Sequence, residues 1–180
     1  MIKIFKLISL IFLITFGFSQ QGILIQDIQI EGNIRLSESD ILRISRLQIG
    51  DSIDMEDIQN AIRNLSKLEQ FNDIQVFAEN TTSLSQGVNL HIIVEEYPLL
   101  KNLEFRGNKK LSKKLLKEKS ELVKGTLLSP FKIFQASQNI LTEYREKHFH
   151  NVVIDTVLTL SENNDYADLT LIIKENKKTK

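Results

Sequence analysis

The sequence predicts an α+β protein made of two tandem β-α-α-β-β units, each a three-stranded mixed sheet covered on one face by two helices. Three observations carry this expectation. One ten-residue stretch occurs twice, as IEGNIRLSES from Ile30 and as FRGNKKLSKK from Phe105. A strand-like run also recurs, as VNLHIIVEE from Val88 and ADLTLIIKE from Ala167. Between these landmarks both halves show, in the same order, alternating apolar residues and then stripes at three- and four-residue spacing. Internal repeats of this kind decide the fold before any single element does.

The repeat keeps its register. Gly32, Asn33, Leu36, Ser37 and Gly50 map onto Gly107, Asn108, Leu111, Ser112 and Gly125 at an offset of 75. The closing runs map at 79 and Phe71 maps onto Phe149 at 78, so most of the extra residues fall in the second helical region of the second unit.

In the first unit, Ile28 and Ile30 alternate with Asp27, Gln29 and Glu31, the pattern of a half-buried strand. Ser37 with Asp40 three residues on is an N-cap signal. The helix it opens carries Ile41, Leu42 and Leu47, and Gly50 is placed to end it. Asp54 and Asp57 open a second helix with Met55, Ile58, Ile62 and Leu65 as its apolar stripe. Ile74 and Val76 alternate in a strand, NTTSLSQG turns the chain, and Val88, Leu90, Ile92 and Val94 form the last strand. The second unit repeats the order. Leu103 and Phe105 mark a strand, and Leu111, Leu115 and Leu116 a helix. Ser129-Pro130 starts the second helix with Ile133, Ile140, Leu141 and Tyr144, and Val152 to Leu160 and Ala167 to Ile173 are strands.

The last strand of each unit is apolar on both faces once Ile93 and Ile172 are counted, which places it in the middle of its sheet. The strand before it then lies at an edge. The Gly32-Asn33 and Gly107-Asn108 pairs read as bends from strand to helix, where Gly adopts φ > 0 and Asn tolerates it.

The N-terminus, MIKIFKLISLIFLITFGFSQQG, has Lys3 and Lys6, an apolar run from Leu7 to Phe18, and small Gly17 and Ser19 ahead of a cut before Gln20. That is the layout of a secretory signal peptide over residues 1–19. The run is shorter than the roughly 20 residues of a membrane span. The expected units are 23–97 and 99–176, with Pro98 at the joint and 177–180 as a tail or the start of a linker. The chain lacks cysteine, so no disulfide framework, thiol nucleophile or Cys-based zinc site exists. A formal net charge of zero hides a split: 13 acidic against 5 basic residues from Gln20 to Pro98, and 10 against 16 from Leu99 to Lys180.

The order of elements resembles the POTRA domain, and the tandem resembles the first two POTRA domains of BamA-type outer-membrane protein assembly factors. IQIEGN and LEFRGN, LQIGD and LVKGT, LEQFNDIQV and KHFHNVVID, and VNLHIIVEE and ADLTLIIKE carry the resemblance, together with the leader ahead of them. It spans essentially the whole chain after that leader. The resemblance implies a periplasmic binding module that receives unfolded outer-membrane proteins and docks partner lipoproteins. In that family a membrane β-barrel follows. Here the sequence given closes on IIKENKKTK, which leaves two alternatives, a piece of a longer barrel protein or a stand-alone pair. A division-type protein with one POTRA domain on a membrane anchor is a third alternative, which the short apolar run and the second repeat speak against.

Under this reading the contact residues are the edge strands. They are Ile74, Gln75, Val76, Phe77 and Ala78 in the first unit, and Val153, Ile154, Asp155, Thr156 and Val157 in the second. An unpaired edge can accept an extended peptide as an added strand. The competing reading is a plain edge, blunted by charge or covered by a neighbour. Lys109, Lys110, Lys113, Lys114 and Lys117, with Lys119, make a basic group on the first helix of the second unit, opposite Leu115 and Leu116. Three readings compete: a solvated face, a docking face for the acidic first unit or an acidic partner, or a surface for anionic lipid or nucleic acid. Nucleic acid fits worst, because no aromatic residues interleave with the lysines.

No catalytic, cofactor or metal residue is expected, and no small-molecule substrate. His148 and His150 are two apart, but His91, the only other histidine, falls in the other unit, and zinc wants three or four ligands. Glu143 and Glu146 read as an ordinary charged helix face. No nucleophile elbow and no phosphate-binding glycine series occurs.

Overall fold

The computed structural model describes residues 22–80 and 87–176. The leader expected over 1–19, the middle of the NTTSLSQG turn and the 177–180 tail lie outside the described residues. The first unit runs β1 (Ile23–Glu31), α1 (Glu38–Ser45), β2 (Ser52–Ile53), α2 (Met55–Ser66), β3 (Phe71–Asn80) and β4 (Gly87–Glu96). The second runs β5 (Leu99–Arg106), α3 (Lys113–Ser120), α4 (Pro130–Glu146), β6 (Val152–Leu160) and β7 (Tyr166–Glu175).

The sheets are mixed, as the sequence predicts. Their strand orders are β2-β1-β4-β3 and β5-β7-β6. In each, the first long strand runs parallel to the central one and the hairpin partner runs antiparallel. Strand β4 alternates cleanly: Val88, Leu90, Ile92 and Val94 are buried beneath the helices. Among the described residues no layer covers the other face of the sheet, and Ile93 stays 38% exposed. The two cores are separate. One gathers Ile25, Ile41, Leu65, Leu90 and Ile92, the other Leu100, Leu116, Ile140, Tyr144 and Leu171.

Local chemistry sets the helix starts. The Ser37 hydroxyl accepts the Asp40 N–H at 3.2 Å, and Ser112 accepts the Leu115 N–H at 3.2 Å. Asp54 and Asp57 form a reciprocal capping box, and Pro130 follows the Ser129 cap.

Three details differ from the expectations. Gly50 does not end α1. Arg46, at φ 64°, takes the left-handed position and donates its N–H to Leu42 O, and Glu121, at φ 56°, takes it after α3 and donates to Glu118 O. Gly50 and Gly125, at φ 92° and 87°, instead turn the next loop back onto the first strand. There Gly50 N–H reaches Ile25 O and Gly125 N–H reaches Leu100 O. Second, this return forms the two-residue strand β2, which adds a fourth strand to the first sheet. Third, Met55 is 66% exposed at the start of α2, and Ala61 takes a buried place in the stripe with Leu65.

Candidate functional site

Each unit closes its strand-to-helix turn in the same way. Gly32 and Gly107 adopt φ 81° and 79°, and a Cβ on either would fall 2.0 Å from Val94 O or 2.3 Å from Ile173 O. Only glycine fits there. Asn33 and Asn108 are not in the left-handed region. Their side-chain amides donate to Leu36 O and Leu111 O at 2.8 and 2.9 Å, which holds the turn closed.

A carboxylate at the end of the central strand receives the turn. Glu96 Oε1 accepts the N–H groups of Ile34 and Arg35 at 2.7 and 2.9 Å, and its Oε2 lies 2.8 Å from Arg35 Nη2. Glu175 Oε1 accepts the Lys109 and Lys110 N–H groups, both at 2.9 Å, and the Tyr144 hydroxyl at 2.6 Å. Burial disfavours a charged Glu175, but Tyr144, the two amides and the Lys110 charge outweigh it and hold its pKa below the ordinary 4.5. Burial, and then the adjoining carboxylate, push the Tyr144 hydroxyl upward. These carboxylates are structural anchors that sequence reasoning missed. The aligned VEE and IKE endings carried the signal.

Among the described residues, strands β3 and β6 pair on one side only and end their sheets. On β3, Ile74, Val76 and Ala78 stand opposite Val94, Ile92 and Leu90 on the helix-covered side, while Gln75 and Phe77 stand opposite Ile93 and His91 on the open side. Phe77 is half exposed. On β6, Ile154 and Thr156 face Ile173 and Leu171 on the covered side, and Val153, Asp155 and Val157 lie on the open side. Ile74, Val76 and Ile154 pack on the cores, and Val153 and Val157 are exposed.

The open faces differ in charge. That of the first sheet carries Asp27, Glu31, Asp73, Glu79 and Glu95, with no lysine or arginine from its three long strands. That of the second neutralises itself through Arg106–Glu104 at 2.8 Å and Lys174–Asp155 at 2.6 Å.

Helix α3 begins at Lys113, so Lys109 and Lys110 sit in the turn ahead of it. Lys113, Lys114 and Lys117 are exposed on the helix, Leu116 is buried and Leu115 is half-buried. None of these five lysines forms an ion pair among the described residues; the Lys110 ammonium lies 6.0 Å from the Phe149 ring centroid. Lys119 does not belong with them. It reaches Glu143 on α4 at 2.8 Å, and Lys147 reaches the same carboxylate at 3.3 Å. Glu143 is therefore not an ordinary surface acid: it is 7% exposed, and the Lys119 hydrogen bond, with that of Lys147, holds its pKa below the usual carboxylate value. His148 and His150 are exposed in the turn before β6. Among the described residues no three His, Asp or Glu side chains gather to hold a metal ion. No described helix is long and apolar enough to cross a membrane, which says nothing of a β-barrel.

Comparisons with known proteins agree with this architecture. The POTRA family model, described as surface antigen variable number repeat, matches residues 23–97 and 98–176. The outer membrane protein assembly factor BamA of Neorickettsia risticii (strain Illinois) is 22% identical over 174 residues, which cover 96% of this chain. The chain spans 22% of that relative's length. The N-terminal domain of Omp85 from Thermosynechococcus elongatus superposes with a TM-score of 0.60 at 18% identity, covering 86% of this chain and 63% of the other. POTRA domains 1–2 of the periplasmic domain of Omp85 from Anabaena superpose at 0.54 and 19%, covering 86% and 96%. With the model matched twice in succession across two copies of one fold, the chain belongs to the POTRA family.

Proposed function

We propose that the two units, 23–97 and 99–176, act as a non-enzymatic binding module of outer-membrane β-barrel protein assembly on the periplasmic side. Unfolded client strands add to β3 and β6, and partner subunits dock on the lysine face of Lys109, Lys110, Lys113, Lys114 and Lys117. The likeness to BamA and Omp85 proteins supports the assembly role. The observation that carries the binding mode is the edge position of β3 and β6, each with one hydrogen-bonded neighbouring strand among the described residues. A free edge offers backbone N–H and C=O groups, and main-chain pairing tolerates many client sequences. That tolerance suits clients that are themselves nascent β-strands. The shared charge and exposure of the five lysines suit an acidic partner.

Proline substitution tests the edges, since it removes a backbone donor and adds bulk where a new strand would pair. Gln75→Pro and Thr156→Pro should weaken binding of an extended outer-membrane-protein peptide while circular dichroism stays native-like. A folded variant that binds the peptide as tightly as the parent would refute the edge reading.

A further inference from the structure

Only Tyr97 and Pro98 lie between β4 and β5. The Tyr97 N–H donates to Gln70 O at 2.9 Å, and Arg35 Nη2 donates to Tyr97 O at 2.6 Å. Both partners belong to the first unit. The next carbonyl, Pro98 O, accepts the Leu128 N–H at 2.9 Å, and Leu128 belongs to the second unit. The chain thus passes from one unit to the other within a single residue step.

Few torsions remain free in that step. The peptide plane is rigid. The proline ring fixes φ of Pro98 near about −65°. What is left is φ and ψ of Tyr97 and ψ of Pro98, with ψ of Tyr97 biased to extended values because a proline follows. Turning ψ of Tyr97 swings its carbonyl, and that is the group Arg35 grips. The same guanidinium nitrogen lies 2.8 Å from Glu96 Oε2, on a side chain with no exposure. One nitrogen thus hydrogen-bonds the Tyr97 carbonyl while ion-pairing with the buried carboxylate, which restrains the side chain.

The repeat shows that a unit folds without this contact. Lys110 occupies the place of Arg35 in the second unit, and its ammonium lies over the Phe149 ring instead. Asn176 stands where Tyr97 does, and its side chain donates to Asn151 O. In the second unit Tyr144 holds the equivalent carboxylate, whereas Arg35 pairs with Glu96 and also grips the carbonyl at the joint.

We propose that Arg35 is a positioning residue: by holding the Tyr97 carbonyl it restrains the Tyr97 backbone at the joint, and so narrows the range in which β3 and β6 are presented relative to each other. This holds whether or not those edges bind clients.

The absence of cysteine allows clean double spin labelling. Gln59→Cys on α2 and Gln135→Cys on α4 are both exposed positions, one in each unit. Pulsed electron resonance on the full chain should give one narrow distance distribution. Adding Arg35→Ala should broaden it at least about twofold, with Arg35→Lys in between, since lysine keeps the charge on a shorter side chain. A distribution already broad with Arg35 present, or one unchanged by Arg35→Ala in a folded protein, overturns the proposal. Arg35→Ala also takes a partner from buried Glu96. Should that variant fail to fold, Arg35→Lys decides by the same readout: broadening supports the restraint and an unchanged width overturns it.

Discussion

The Tyr144 hydroxyl donates to Glu175 Oε1 at 2.6 Å, joining α4 to the end of β7. Tyr144 has no exposed surface, and its ring meets Phe149 edge-on at 6.3 Å between centroids. One contact thus ties the longest helix of the second unit to the strand end that also receives the Lys109 and Lys110 amides. The first unit secures the equivalent carboxylate, Glu96, with Arg35 instead.

Tyr144→Phe keeps the ring and removes the donor. A hydrogen bond to a charged group contributes about 1.5–3 kcal/mol when well shielded, and Glu175 is only partly buried, so a loss of about 1–2 kcal/mol is expected. Urea unfolding checks it. An unchanged midpoint would show that the contact adds nothing to stability.

The same carboxylate makes stability depend on pH. Glu175 and Glu143 both have folded-state pKa values lowered below 4.5. A lowered carboxylate pKa gives stability that is complete above the unfolded value and is lost as pH falls through the folded one. The urea midpoint should therefore be flat above about pH 6 and drop below about pH 4.5. Glu175→Gln should be less stable at neutral pH and should lose less on acidification. An acid limb of the same steepness in that variant would remove Glu175 from the account.

Gly32→Ala and Gly50→Ala separate crowding from backbone conformation. Both positions have positive φ, but a Cβ at Gly32 would meet Val94 O at 2.0 Å, while at Gly50 nothing lies within 4 Å. Gly50→Ala should cost about 1 kcal/mol, the left-handed penalty alone. Gly32→Ala adds a backbone collision and should cost about 3 kcal/mol or more, or prevent folding. Equal thermal shifts for the two would contradict the packing at the turn.

The lysine face predicts salt-sensitive docking. Exchanging Lys113, Lys114 and Lys117 for glutamine should weaken capture of an acidic partner at low salt and flatten its dependence on ionic strength. Fold should be untouched, because the three side chains are exposed. Binding by the parent chain that does not change between low and physiological salt would rule the face out.

Much of this architecture was legible because the sequence says it twice. The Gly-Asn pairs, the Ser and Asp caps and the closing strands each gained weight from a counterpart at a fixed offset. What was not legible lacked such a pattern. Strand β2 is two residues long, too short for any period to register. Arg46 and Glu121 take left-handed positions usually given to glycine, so the nearby Gly50 drew the assignment instead. Met55 matched the helical spacing but sits at the first position of α2, before the helix reaches the sheet. Glu143 shared its helix with ordinary charges, and only the packing of α3 against α4 brings Lys119 to it. The edge strands followed from strand order, whereas the contrast in charge between the two open faces required the register.

The central claim is that partner strands add to β3 and β6. Amide hydrogen exchange of the chain with and without an extended peptide from an outer-membrane β-barrel strand tests it most directly. The account predicts added protection concentrated on residues 74–78 and 153–157, abolished by Gln75→Pro and Thr156→Pro in their respective units. Binding that leaves these amides unprotected and instead protects other surfaces would contradict it.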